Sequence, residues 1–267
     1  MSFLKRDQAP ITDAAWDAID REARRVIRAS LIGRRVVDVH EPEGWDYSAV
    51  NLGHLKLSNS TRVEGVRFGL REVRPLVETR ALCELDMWSL DDISRGATDV
   101  DLSAVSEAAR RSAEFEDRAI LMGLEAADVI GLSGAGAHEP IQFEEEPDAF
   151  LQAVTAGMLA LSRVSVDGPF ALLLDSEAFR FVSSAPTGYP FSKRIRSLIG
   201  GHILESPLLK GALLVSTRGG DFELHLGQDF SIGFEGQEGR ELRFFITETF
   251  SFRLVEPAAT LRLAKRR

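Results

Sequence analysis

The chain of 267 residues is 44% hydrophobic and 27% charged, a balance that fits a globular protein with a core and excludes the disordered and fibrous classes. With 32 basic and 41 acidic residues its formal charge is −9, which excludes a uniform attraction to nucleic-acid phosphates. Cys83 is the single cysteine and closes no internal disulfide, the opening MSFLKRDQAP lacks a long apolar signal core, and no run reaches the roughly 18 apolar residues of a membrane helix, so the expectation is a cytosolic protein.

In chain order the first element is a helix. Thr12 stands at a capping position, Ile11 and Trp16 at staple positions, and Trp16, Ile19, Ala23, Val26, Ile27 and Leu31 recur at helical spacing, with Gly33 as the stop. Residues 33–39, GRRVVDV, then read as a short charged strand with nothing nearby in sequence to pair with. From Val50 to Leu85 the pattern is strand-like, with Val66, Phe68 and Leu70 alternating with Gly65, Arg67, Gly69 and Arg71. Such a ribbon, sparsely hydrophobic and uncovered by any helical segment, is marginal in water by itself, so it is expected to lie against other copies of the chain.

A long helix is predicted from about Asp101 to Val129, with Val105, Ala109, Ser112, Phe115, Ala119, Met122 and Ala126 as its apolar stripe. Glu107 with Arg111 and Glu114 with Arg118 support its wet face. GLSGAGAHEP at 131–140 is a hinge or boundary. A helix from Pro147, the strand FALLLD, a short helix, the loop SSAPTGYP and the helix FSKRIRSLIG then make an α/β region, and the rest is strands. In the last one Leu242, Phe244, Ile246, Phe250, Phe252 and Leu254 share a face, half-buried, with Glu248 read as a satisfied core carboxylate in preference to a site residue.

Catalytic signatures fail one by one. GLSGA has Ala135 where a nucleophile elbow needs glycine, and GAGAHE breaks G-x-G-x-x-G. The five histidines, His40, His54, His138, His202 and His225, have no metal-binding spacing, and Glu144, Glu145 and Glu146 read as a solvated loop. The tail Lys265, Arg266 and Arg267 reads as a solvated end. Cys83 has no histidine near it in sequence. Trp88, beside acids, offers a surface for stacking a planar ligand or for packing on a neighbour.

FLKR at 3–6, APIT and AAW within 9–16, GRRVVDV…GWDY at 33–47, EFEDRAI at 114–120, GPFALLL at 168–174, RGGDFEL…GQDFSIGF at 218–234 and FITETFSF at 245–252 resemble the encapsulin family of compartment shell proteins, some labelled linocin-like. The resemblance implies an α+β, HK97-type phage capsid fold: an N-terminal helix and cargo-docking segment (1–49), an extended loop (50–97), a peripheral domain (98–134 and 222–267) and an axial domain (135–221). It also implies an icosahedral homo-oligomer of about sixty copies. This shell would carry no enzyme activity of its own. Cargo would be a ferritin-like protein or a dye-decolourising peroxidase bearing a C-terminal targeting peptide, linking the shell to iron storage or oxidative stress.

By the same resemblance Arg34, Val36, Asp38, Val39 and Ile232 bind the cargo peptide, and Thr187, Gly188 and Tyr189 line a pore. No metal or cofactor is expected beyond a flavin at Trp88, and neither nucleic acid nor membrane is a partner. Against the docking role stand two plainer readings: Val36 and Val39 as core, and Arg34–Asp38 as a local ion pair. A prophage capsid of the same fold and a bacteriocin or peptidase are the competing classes. A charge of −9 per chain makes a poor DNA container, and no nucleophile–base pair serves a peptidase.

Overall fold

The computed structural model describes residues 3–58, 64–184 and 190–266. In chain order they form α1 (Asp13–Ser30), β1 (Asp38–Val39), β2 (Ala49–Leu57), β3 (Gly69–Pro75), β4 (Val77–Asp86), α2 (Met87–Ser94), α3 (Ser103–Met122), β5 (Gly123–Leu124), β6 (Val129–Ile130), β7 (Ile141–Phe143) and α4 (Pro147–Arg163). β8 (Phe170–Leu174), α5 (Ser176–Ser184), α6 (Phe191–Ile199), β9 (Ile203–Glu205), β10 (Ala212–Ser216), β11 (Phe222–Leu226), β12 (Ser231–Glu238), β13 (Glu241–Leu254) and β14 (Thr260–Lys265) follow. Two compact units result, one of Met1–Asp20, His40–Ala108 and His225–Ser251, the other of Arg21–Val39, Ala109–Leu224 and Phe252–Arg267. No helix among the described residues is long and apolar enough to cross a membrane.

The first unit is organised by β13, which pairs antiparallel with β4 from Glu241↔Asp86 to Phe250↔Val77 and with β12 from Ser231↔Thr247 to Glu238↔Glu241. The sequence predicted one buried face for this strand, but Phe245, Thr247 and Thr249 of the other face are buried along with Phe244, Ile246 and Phe250. The second face is covered locally. Gly233 lies opposite Phe245, whose ring fills the space a Cβ would occupy, and the Arg80 guanidinium lies 4.2 Å above that ring. On the other face Trp16 meets Phe244 edge-on at 5.4 Å, and Arg6 caps Trp16 at 3.9 Å while forking onto Asp20 at 2.8 and 3.1 Å. Thr12 caps α1 as expected, accepting the Ala15 N–H at 3.3 Å.

The ribbon β2–β3 pairs from Ala49↔Pro75 to Leu57↔Gly69 and shifts register between Asn51 and Leu55, around Gly53 at φ 77°. Val66 and Phe68 precede β3 rather than forming part of it. The stretch after β4, which no helical period announced, is the helix α2, because the Asp86 carboxylate accepts the Ser89 N–H at 3.2 Å and caps it.

In the second unit the sheet order is β7-β14-β10-β8-β9, with β8 and β10 buried along their whole lengths. α4 packs on it through Gly157, whose missing side chain admits Leu214, Leu261 and Leu263. Phe150, Phe181 and Phe191 from α4, α5 and α6 meet edge-on at 5.8–6.1 Å. Strand pairing puts Thr260–Lys265 in this sheet, beside Ala212–Val215 and Ile141–Phe143, although the sequence segmentation grouped it with 98–134. The basic tail and the acid cluster, both read as solvated, meet one another: Lys265 bonds Glu145 at 3.0 Å and Glu177 at 2.8 Å, and Arg266 bonds Glu144 at 2.9 Å. Glu146 caps α4 through the Ala149 N–H at 2.7 Å.

α3 stops at Met122, short of the predicted Val129, because Gly123 takes φ 91° and Gly131 lies so close to the backbone of Met122 and Gly123 that no Cβ would fit. Its buried face is also turned from the expected one. Val105, Ala109, Ser112 and Ala119 are buried, but Phe115 and Met122 are exposed, and the carboxylates of Glu116 and Asp117 are buried in their stead.

Candidate functional site

The segment after α1 is built from turns before it becomes a strand. Ile32–Val36 makes a 3-10 turn, with Arg35 N–H on the Ile32 carbonyl at 3.0 Å and Val36 N–H on that of Gly33 at 2.9 Å. Only then does β1 form, pairing in parallel as Asp38↔Glu223 and Val39↔Leu224. The expected strand is thus two residues long, and its partner is β11, far along the chain. A two-residue strand needs other anchors, and α3 supplies them.

Arg34 donates to the fully buried Glu116 through Nε, at 3.0 Å to each oxygen, and through Nη2 at 2.6 Å. Such a two-nitrogen fork on one carboxylate fixes the plane of the guanidinium. Next to it, Asp117 accepts the N–H of Gly33 at 2.7 Å and of Ile32 at 2.9 Å. Burial pushes the Asp117 carboxyl up to about 6; the Gly33 and Ile32 N–H groups oppose that rise, Glu116 adds to it and Arg34 opposes it. Gly33 is required by packing, because a Cβ there would stand 2.7 Å from Ile120 Cδ1.

Asp38 points the other way in this unit. Its Oδ2 accepts the Gly220 N–H at 2.6 Å, in a turn where Gly219 and Gly220 take φ 90° and 82°. The Arg218 guanidinium forks onto Asp221 at 3.0 and 2.9 Å and bonds the Ser165 carbonyl, and Asp221 in return holds the Arg218 guanidinium above its usual pKa. Between turn and segment lies a recess of about 120 Å³ lined by Arg35, Val36, Asp38, Thr217, Gly219 and Asp221, among others.

Of the residues singled out for peptide binding, Arg34, Val36, Asp38 and Val39 share this segment, while Ile232 belongs to the first unit and is buried there. Val36 is core at 4% exposure, whereas Val39 is 41% exposed. The pairs observed are Arg34–Glu116 and Asp38–Gly220, not Arg34–Asp38. Thr187, Gly188 and Tyr189 lie outside the described residues. Trp88 sits in the first turn of α2, 57% exposed. Sequence reasoning missed Glu116 and Asp117 as partners of the segment; two adjacent acids in a helix give no periodic signal, though the EFEDRAI block contained them. It also missed His40 and His225, 185 positions apart, whose rings stack at 4.2 Å.

The family model described as "Encapsulating protein for peroxidase" matches residues 1–251. A Type 1 encapsulin shell protein of Rhodococcus erythropolis is 38% identical over 99% of this chain and 100% of its own length, and that of Brevibacterium linens 41% identical over 94% and 95%. Among solved structures, the virus-like particle of Pyrococcus furiosus aligns with TM-score 0.64 at 15% identity over 92% of this chain and 98% of its own. The capsid of Myoviridae phage XM1 aligns with TM-score 0.59 at 10% identity over 87% and 90%. The structural likenesses give the HK97-type capsid fold, and near-full-length identity with shell proteins adds the family: the chain is a member of the encapsulin shell-protein family.

Proposed function

We propose that copies of this chain, about sixty of them, close into an icosahedral compartment that encloses an enzyme, with the enzyme held by a short targeting peptide on residues 34–39. Asp38 carries the reading. It is half-buried at the mouth of the recess, one oxygen is fixed by Gly220, and Oδ1 is left to accept a peptide N–H, hydroxyl or cationic group. Val39 adds exposed apolar surface beside it. Each aliphatic anchor buried there contributes about 1.5–3 kcal/mol before ordering costs, so single peptides bind modestly and an oligomeric cargo gains by avidity.

Arg34 and Val36 serve this surface from below, by holding its shape. The family description favours a peroxidase as cargo over a ferritin-like protein, and activity then belongs to the cargo. Small substrates pass at the segment that holds Thr187, Gly188 and Tyr189, and the compartment works in the cytoplasm. Trp88 offers an exposed ring to a planar ligand such as a flavin, which the visible absorbance of purified shells reads directly.

Shells purified from the native host with Asp38→Ala are expected to keep their size by electron microscopy and to lose their co-purifying cargo. Full loading of that variant overturns the assignment.

A further inference from the structure

His40 and His225 stand 185 positions apart, so no spacing motif announces them, yet their rings stack in the first unit with centroids 4.2 Å apart and planes 6° from parallel. We propose that this pair, together with Glu223 on the same face of β11 as His225, binds one divalent transition-metal ion of the zinc class. These residues lie outside 34–39, and their chemistry does not depend on a peptide docking there.

Strand pairing explains the meeting. β1 runs parallel to β11 with Val39 opposite Leu224, so the next step along both strands sets His40 beside His225. Along β11 the residues alternate: Phe222, Leu224 and Leu226 are buried, while Glu223 and His225 turn together to the half-buried side. One ligand atom from each of His40, Glu223 and His225 lies within 4.8 Å of the other two. A tetrahedral ion with Zn–N bonds of about 2.0–2.1 Å needs its two nitrogens about 3.4 Å apart, and the broad χ2 torsion of histidine lets both rings tilt toward one ion.

The donor set chooses the ion. A bare ring stack needs aromatic faces only, whereas two imidazoles beside a carboxylate are donors that zinc, nickel and copper accept; magnesium and calcium prefer an all-oxygen shell. Three protein ligands leave a fourth position open, and the exposure of His40 gives water access to it. Arg253 Nη1 donates to Glu223 Oε2 at 3.4 Å, which orients the carboxylate. Among the described residues no other three histidine, cysteine, aspartate or glutamate side chains converge in this way, and His138 instead places Nε2 at 2.9 Å from the Ala258 carbonyl.

Calorimetric titration with zinc chloride tests this on empty assembled shells, first stripped of metal by dialysis against a chelator. Saturation at about one zinc per chain is expected, undisturbed by excess magnesium. His40→Gln, His225→Gln and Glu223→Gln are each expected to weaken binding about tenfold or more, since changes to groups that merely support a ligand already cost about 10–100-fold. His54→Gln, at an exposed histidine elsewhere in the first unit, is expected to bind as wild type does. Absence of saturable zinc binding by the wild-type shell overturns the proposal, as does undiminished binding in any of the three ligand variants or loss of binding in His54→Gln. Should a ligand variant fail to assemble, copper(II) on the wild-type shell decides by electron paramagnetic resonance: nitrogen splitting from two imidazoles is expected, and splitting from one or none overturns the site.

Discussion

The β2–β3 ribbon and the segment 33–39 begin from the same kind of sequence, charged and strand-prone with few apolar residues, and end in opposite states. In the ribbon Leu55, Leu57, Leu70 and Val73 are exposed, Leu57 at 71%, and among the described residues Ala49–Leu57 has only Gly69–Pro75 as its strand partner. In the segment Gly33 and Val36 are buried, and the N–H groups of Ile32 and Gly33 end on an acid of the same chain. Apolar content does not separate the two. What separates them is whether the chain itself supplies the complement. α3 supplies buried carboxylates to the segment, whereas the ribbon's leucines stay exposed in the single chain, the state expected of a surface that a second copy would cover.

The comparison breaks most visibly at the ribbon. Each leucine covered by a neighbouring copy contributes about 1.5–3 kcal/mol, repeated in every copy of a shell. Leu57→Asp together with Leu70→Asp is expected to abolish particles in sedimentation velocity while the free subunit melts as wild type does, since exposed substitutions cost it at most about 0.5 kcal/mol. Intact shells from the double variant would mean that these leucines are not what neighbours cover.

At the segment the large effect should come from within the chain. Glu116→Ala leaves the Arg34 guanidinium, 17% exposed, without the carboxylate it forks onto. Removing one partner of a buried ion pair costs about 3–5 kcal/mol, read as a lowered calorimetric Tm. Glu116→Gln keeps the shape and one acceptor, so its loss should be smaller. A Tm drop no larger for alanine than for glutamine would deny the pair its role in holding the segment.

Legibility in the sequence follows the same division. α1 was readable because Thr12 and the Trp16–Ile27 spacing are local and periodic, and α4, β8 and α6 stood out as long, uniform patterns. α3 was readable as a helix but not in its face or its end: the buried Glu116 and Asp117 look like surface acids until their partners 82 and 84 positions away are known, and Gly123 and Gly131 act through one close approach. α2 was hidden because one cap, Asp86, decides it. For the proposed docking surface the sequence indicated, within residues 33–39, Arg34, Val36, Asp38 and Val39, through resemblance to a family. It did not show that two of them face inward, because burial depends on what α3 brings alongside.

The smallest expected effect tests that last point most sharply. Gly33 has no positive φ to protect, so Gly33→Ala strains no backbone; its new Cβ would instead stand 2.7 Å from Ile120 Cδ1 and 3.0 Å from Asp117 Oδ1. Overpacking of this kind costs about 1–3 kcal/mol. If the clash with Ile120 is the cause, Ile120→Val, which removes Cδ1 and alone costs about 0.5–1.5 kcal/mol, should recover part of the loss, so that the double variant melts higher than the sum of the two changes allows. Simple additivity would shift the cause to Asp117, whose carboxylate would then be the group displaced, and the double variant Gly33→Ala with Asp117→Asn would have to show the coupling that Ile120 did not.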